Sequence, residues 1–121
     1  MAKYTFIVLS NPISPAQEDE YNKWYDDQHI PDVLSLDGYV TAQRFRLADS
    51  QVGENNPYKY LTLYEMETDN LAASVTELMD WFANGMIVTD AFDLMNQGPY
   101  IFAPITETVH QADIPRPRRT A

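Results

Sequence analysis

Cysteine is absent from the 121 residues, so disulfides and thiolate metal sites are excluded, and the cytoplasm is the simpler expected setting. Glycine is scarce, and none of the four sits in a phosphate-cradling G-x-G-x-x-G or G-x-x-x-x-G-K-S/T loop. Histidine occurs only as His29 and His110, without H-x-H or H-x-x-x-H spacing, which leaves no ligand set for a metal. A G-x-S-x-G elbow is also missing. Positive charge is short: eight Lys and Arg face eighteen Asp and Glu, a net charge of −10. Such a surface repels phosphates, so nucleic acid is not an expected partner. No apolar run approaches the roughly 18 residues of a membrane span. Met1-Ala2-Lys3 leads straight into a strand-like run without a signal-peptide core, so no membrane partner is expected.

What is present is apolar and aromatic: 45% of residues are hydrophobic, enough for one modest core in a single folded domain. That domain is expected over residues 1–112. Residues 113–121, with Arg116, Arg118 and Arg119 among prolines, read as a flexible basic tail.

Lys3 to Ser10 is a continuous β-rich run, and Asn11-Pro12 breaks it. Ser14-Pro15-Ala16-Gln17 predicts a helix start with a capping box, and Glu18, Asp19 and Glu20 suit the first turn. Tyr21, Trp24, Tyr25, Gln28 and His29 share one helical face. Pro31 disfavours helical geometry at Ile30, so the helix should stop or bend near His29, with Pro31 to Leu34 a short extra turn. Tyr39 to Leu47 predicts a second strand, Ala48 to Pro57 a polar loop, and Tyr58 to Glu67 a third strand. A second helix is expected over about 70–84, capped by Thr68 or Asp69 and ended by Gly85. Its stripe is Leu71, Val75, Leu78, Met79 and Phe82. Residues 86–99 are too apolar for a free loop. They read as a flap over the second helix and one end of the sheet, with a short helix from Thr89 or Asp90 to about Asn96. Tyr100 to Thr108 predicts the fourth strand, with Pro104 implying an edge or bulge.

The order β-α-β-β-α-β is the ferredoxin-like, α+β arrangement, with both helices on one face of a four-stranded sheet. A sheet wet on its other face should alternate apolar and polar residues. The first strand does not, with Tyr4, Phe6 and Val8 on one face and Ile7 and Leu9 on the other. A bare apolar face exceeds what a monomer ordinarily exposes, so a homodimer with sheets packed face to face is expected.

Asn11-Pro12, the run Glu18-Asp19-Glu20-Tyr21-Asn22-Lys23-Trp24-Tyr25-Asp26-Asp27-Gln28-His29-Ile30-Pro31-Asp32-Val33-Leu34, then Gly38-Tyr39-Val40 and Gln43-Arg44-Phe45 carry a resemblance. The pattern resembles the dimeric α+β barrel superfamily, and most closely its EthD-like branch, over most of residues 3–108. Asp37 stands where that pattern often has proline. The resemblance implies a dimeric α+β barrel with a substrate pocket between the helices and the sheet of each subunit. It also implies a function within a group of cofactor-free cyclases, isomerases, dehydratases and monooxygenases, some haem enzymes, and members without known activity.

Among individual residues, His29 leads as a catalytic acid or base, because imidazole changes charge near neutrality. Asp26 or Asp32, near it in sequence, is placed to orient it and fix its tautomer, and the alternative is a histidine that caps the helix end. Arg44 and Tyr25 are the other catalytic candidates: a guanidinium suits a carboxylate or enolate, and a phenol suits an oxyanion. The alternative for Arg44 is an ion pair with Glu65 or Glu67. Trp24, Tyr60, Tyr64, Phe6, Trp81 and Met86 are candidates to line a site for a small apolar or aromatic substrate, or are simply core. No cofactor or metal is expected. The leading functional expectation is a lyase, dehydratase, cyclase or isomerase working by acid-base chemistry on an aromatic or polyketide-like compound. A cofactor-free monooxygenase of an activated phenol and a non-catalytic ligand-binding module are the alternatives.

Overall fold

β1 (Ala2–Ser10) is the strand on which the sheet is built. It pairs antiparallel with β3 (Tyr60–Thr68) on one side and with β4 (Gly98–Phe102) on the other. β2 (Tyr39–Arg46) lies antiparallel outside β3, giving the order β2-β3-β1-β4. The coordinates are a computed structural model that describes residues 1–116. Pro117, Arg118 and Arg119 of the expected tail lie outside the described residues.

The register places each apolar row on a definite face. Ala42, Tyr64, Phe6 and Ile101 form one row across the four strands, and Arg44, Thr62, Val8 and Pro99 form the next. These rows face the helices. On the opposite face, Phe45, Leu61 and Leu9 form a row, and Leu63, Ile7 and Tyr100 form another. No described helix covers that second face: Phe45 is 43% exposed, and Tyr100 and Phe102 are each 54% exposed. The sheet therefore has two apolar faces and only one has a cover, as the unbroken hydrophobicity of β1 predicts.

The helical layer starts with a 3₁₀ turn at Pro15–Gln17 and continues as α1 (Glu18–Trp24). The expected capping box is replaced: the Ser14 hydroxyl bonds the Gln17 side chain at 2.9 Å, and neither residue caps the backbone with its side chain. The helix does not stop at His29. It widens into one π-helical turn, Tyr25–His29, and runs on as α2 (Ile30–Leu34). The Ile30 N–H bonds the Tyr25 carbonyl five residues back. That wider turn gives the Pro31 ring room and spares it a bond it has no N–H to make.

α3 (Leu71–Ala83) is capped by Asn70, whose side chain accepts from the Ala73 N–H at 3.0 Å. Thr68, an expected cap, instead accepts the Asn70 N–H at 3.2 Å and meets the Ser74 hydroxyl at 2.9 Å. Asp69 takes no capping role, because the helix begins one residue later than its side chain would serve. Gly85, at φ +146°, ends the helix in a conformation that side chains disfavour.

Residues 86–99 form no helix. Nor do they lie mainly over α3. Ala91 and Phe92 pack against Tyr21, Trp24 and Tyr25 of the first helical segment and against Tyr60. The Ile13 N–H bonds the Ala91 carbonyl at 2.6 Å, and the Asp93 N–H bonds the Asn11 carbonyl at 3.1 Å. Those backbone bonds to the segment after β1 compete successfully with a short isolated helix, which is marginal by itself. β4 is shorter than the sequence predicts and ends at Phe102, before Pro104 could be asked for a ladder bond.

The N-cap gives a direct check on the helix start. Asn70→Ala should lower stability by about 1 kcal/mol, read as a drop in the urea midpoint at unchanged m-value.

Candidate functional site

Between the helical layer and the sheet lies a cavity of about 430 Å³. Its floor is the helix-facing side of the sheet: Phe6 and Val8 of β1, Tyr64 of β3, Tyr39 of β2 and Ile101 of β4. One wall is the π-helical turn, through Tyr25 and His29, continued by Val33 of α2. The facing wall is α3, through Val75, Leu78, Met79 and Phe82. Phe92, Gln97 and Pro99 of the segment before β4 complete it. The cavity exists because α3 packs sparsely: Ser74 is its one buried residue, and Met79 is 64% exposed although it lines the space.

His29 is 8% exposed and stacks on the Trp24 indole, with centroids 4.4 Å apart and planes 20° from parallel. The Tyr25 and Phe82 rings meet it edge-on. Burial in this aromatic setting pulls its pKa from 6.5 down to about 4, against the smaller opposing pull of the Asp32 charge. The imidazole is therefore neutral at pH 7. Its Nδ1 is sealed from solvent without a hydrogen-bond partner in the protein. Neither candidate carboxylate fixes its tautomer. Asp32 accepts the Gln28 amide at 2.7 Å, and Asp26 accepts from Arg44 at 3.0 Å.

Two phenols share that unpartnered state: Tyr25 Oη and Tyr64 Oη are buried without hydrogen-bond partners. Burial raises the pKa of both. The Tyr25 phenol is held back by polar neighbours Thr62 and Ser10 and by the Arg44 charge, and Tyr25 itself pushes Tyr64 higher. A buried donor left unmade costs about 1–3 kcal/mol. The three atoms belong to residues that line one cavity, but each lies within the wall and is closed to solvent.

Four of the sequence candidates thus line the cavity: His29, Tyr25, Tyr64 and Phe6. The others lie outside its lining. Arg44 packs under α1 with its guanidinium 4.7 Å from the Tyr25 ring centroid, and also over Tyr21 and Tyr60. It donates to Asp26 at 3.0 Å and to Asn22 at 2.8 Å, not to Glu65 or Glu67, which belong to the opposite face of the sheet. Tyr60 bonds the Glu18 carboxylate and accepts from Asn22 at 3.2 Å. Trp24 supports His29 from behind and donates to the Ile87 carbonyl at 2.8 Å. Trp81 and Met86 pack into the adjoining core.

The lining residues missed at the level of sequence are Val33, Tyr39, Leu78, Phe82, Phe92, Gln97 and Ile101, among others. A signal existed for the α3 pair, because both fall on its apolar stripe. An apolar stripe predicts which way residues point but not whether they reach the layer opposite.

His29 carries a pH signature. Its folded pKa lies below its ordinary value, so the unfolded chain takes up the proton first as pH falls. Stability should be undiminished above pH 6.5 and lose up to about 3 kcal/mol as pH drops from 6.5 through 4. His29→Gln should flatten that share of the slope in urea titrations run across the window.

Among the described residues no cluster of three His, Asp or Glu side chains is arranged to hold a metal, and no helix is long and apolar enough to cross a membrane. No family model matches the chain, and no curated protein does. Solved structures do. A "putative monooxygenase" from Shewanella loihica PV-4 is similar at a TM-score of 0.55 and 13% identity, covering 88% of this chain and 97% of its own. An EthD-like protein from Ralstonia eutropha JMP134 matches at 0.53 and 18%, covering 89% and 96%. An ethyl tert-butyl ether D family protein from Bacillus halodurans C-125 matches at 0.50 and 15%, covering 87% and 100%. At these identities the likeness is one of fold, and the chain has the α+β fold of EthD-like proteins that its Asn11–Phe45 pattern implies.

Proposed function

We propose that the chain is a cofactor-independent enzyme that moves a proton on a small, mostly apolar compound bound between the helices and the sheet. The observation that carries the proposal is a neutral, buried His29, edge-on to the Tyr25 ring, in the wall of one apolar cavity that Tyr64 also lines. The substrate would be an aromatic or polyketide-like compound with an enolisable carbonyl or a phenol. His29 would take or return the proton next to the oxygen-bearing carbon. Tyr25 or Tyr64 would give a hydrogen bond, or the proton itself, to the developing oxyanion. Burial penalises net charge here, so removal of one proton and delivery of another must be coupled. Lyase, dehydratase, cyclase and isomerase reactions all fit that pattern. Arg44 would act on the site through the Tyr25 ring instead of by touching substrate.

A cofactor-free monooxygenase is the second reading, favoured by the description of the Shewanella neighbour. Oxygen consumption in the presence of substrate separates the two, since a lyase or isomerase uses none.

The uncovered face of the sheet supports a homodimer, with Phe45, Tyr100 and Phe102 buried between two copies.

His29→Ala should lower turnover of a cognate substrate by about 10²–10⁴-fold with the fold intact by circular dichroism. Unchanged turnover would remove His29 from the chemistry. In sedimentation, the wild-type chain should run as a dimer, and Tyr100→Glu with Phe102→Glu should run as a monomer; a wild-type monomer at micromolar concentration defeats the assembly.

A further inference from the structure

We propose that the cavity beside His29 binds uncharged ligands and excludes anions, so that an ionisable phenol or enol enters only in its protonated form. The inference rests on reading this cavity as the functional site, and it names the ionisation state of what the site accepts.

The lining carries the argument. Among the described residues that surround the cavity there is no Asp, Glu, Lys or Arg. An anion moved into it would leave its hydration shell without gaining a counter-charge. The nearest fixed charges do not repair that. Arg44 stands behind the Tyr25 ring, with two of its nitrogens engaged by Asp26 and Asn22. The charges felt through the other walls are negative: Asp32 acts on His29 from α2, and Glu77 acts on Tyr39 from α3. With an overall charge of −10, the surface that a ligand must first approach repels anions as well.

The titratable lining also stays silent over a wide range. Burial holds His29 down to about 4, and burial with the nearby Glu77 pushes Tyr39 up to about 12. Tyr25 and Tyr64 are both raised from the ordinary phenol value. Between mildly acidic and mildly alkaline pH, any change in affinity therefore reports the ionisation of the ligand and not of the walls. What the walls offer is aromatic and aliphatic surface with the Gln97 amide and no charged side chain, which suits a neutral ligand.

The test uses the full chain and binding alone, so it does not depend on catalysis. A panel of bicyclic hydroxyaryl ketones that ionise at mildly alkaline pH is titrated calorimetrically across that range, beside carboxylates of the same skeletons. The expected result is an affinity that is flat below each ketone's own ionisation and tenfold weaker for each pH unit above it. At neutral pH the carboxylates should bind at least about tenfold more weakly than the ketones. Gln97→Arg, which sets a cation in the lining, should narrow that gap. Carboxylates that bind the wild type as tightly as the ketones, or ketones that keep their affinity once ionised, would overturn the inference while leaving the site in place. Failure of every skeleton to bind an intact chain would instead remove the cavity as a ligand site, and this selectivity with it.

Discussion

Pro31 has no N–H to give, and the way the helix meets that single deficit sets the geometry of everything around the cavity. Instead of breaking, the helix takes one wide turn from Tyr25 to His29 and continues. A regular α-helix rotates by about 40° for every four residues, so a series spaced by four drifts off any one face. Tyr21, Tyr25, His29 and Val33 are such a series, and all four are buried against the sheet. The wide turn takes back part of the drift. It keeps a polar, ionisable side chain in a row whose other members are two tyrosines and a valine. A buried imidazole without a carboxylate partner is the result, and the depressed basicity follows from it.

Much of this was legible in the residues. The four strands, their faces and the two-sided greasiness of β1 follow from period-two patterning, because alternation is dictated by the pleat and needs no tertiary knowledge. The placing of Tyr25 and His29 on one inward face follows from helical spacing in the same way. What was not legible depends on contacts between distant segments. The π turn is a compromise between Pro31 and the sheet beneath it. The partner of Arg44 was mistaken because Glu65 and Glu67 are close in pattern but lie across the sheet, whereas Asn22 and Asp26 come from a helix laid over it. Residues 86–99 satisfy a helix start on paper, yet their backbone groups find Asn11 and Ile13 instead.

Polarity inside the molecule is divided into two compartments. Under α1, the Arg44 guanidinium sits among Tyr21, Tyr25 and Tyr60 and bonds Asp26 and Asn22, and Ser10 bonds Tyr21. That compartment is nearly complete, with the Arg44 Nε and the Tyr25 Oη its buried groups left without a partner. On the other side of the Tyr25 ring lies the cavity, which has aromatic walls and no charge. Tyr25 is the partition between them, and this position lets one arginine influence the site without entering it.

α3 gives the molecule a soft side. The floor of the cavity is a hydrogen-bonded sheet, and the π-turn wall is pinned by stacked rings. The helix opposite has a single buried residue and leaves a methionine in the open. Changes of side chain along Val75, Leu78, Met79 and Phe82 would reshape the chamber with little disturbance to the ladder of strands beneath. The shape of the chamber is therefore open to change through one loosely seated helix, while the scaffold and its imidazole stay as they are.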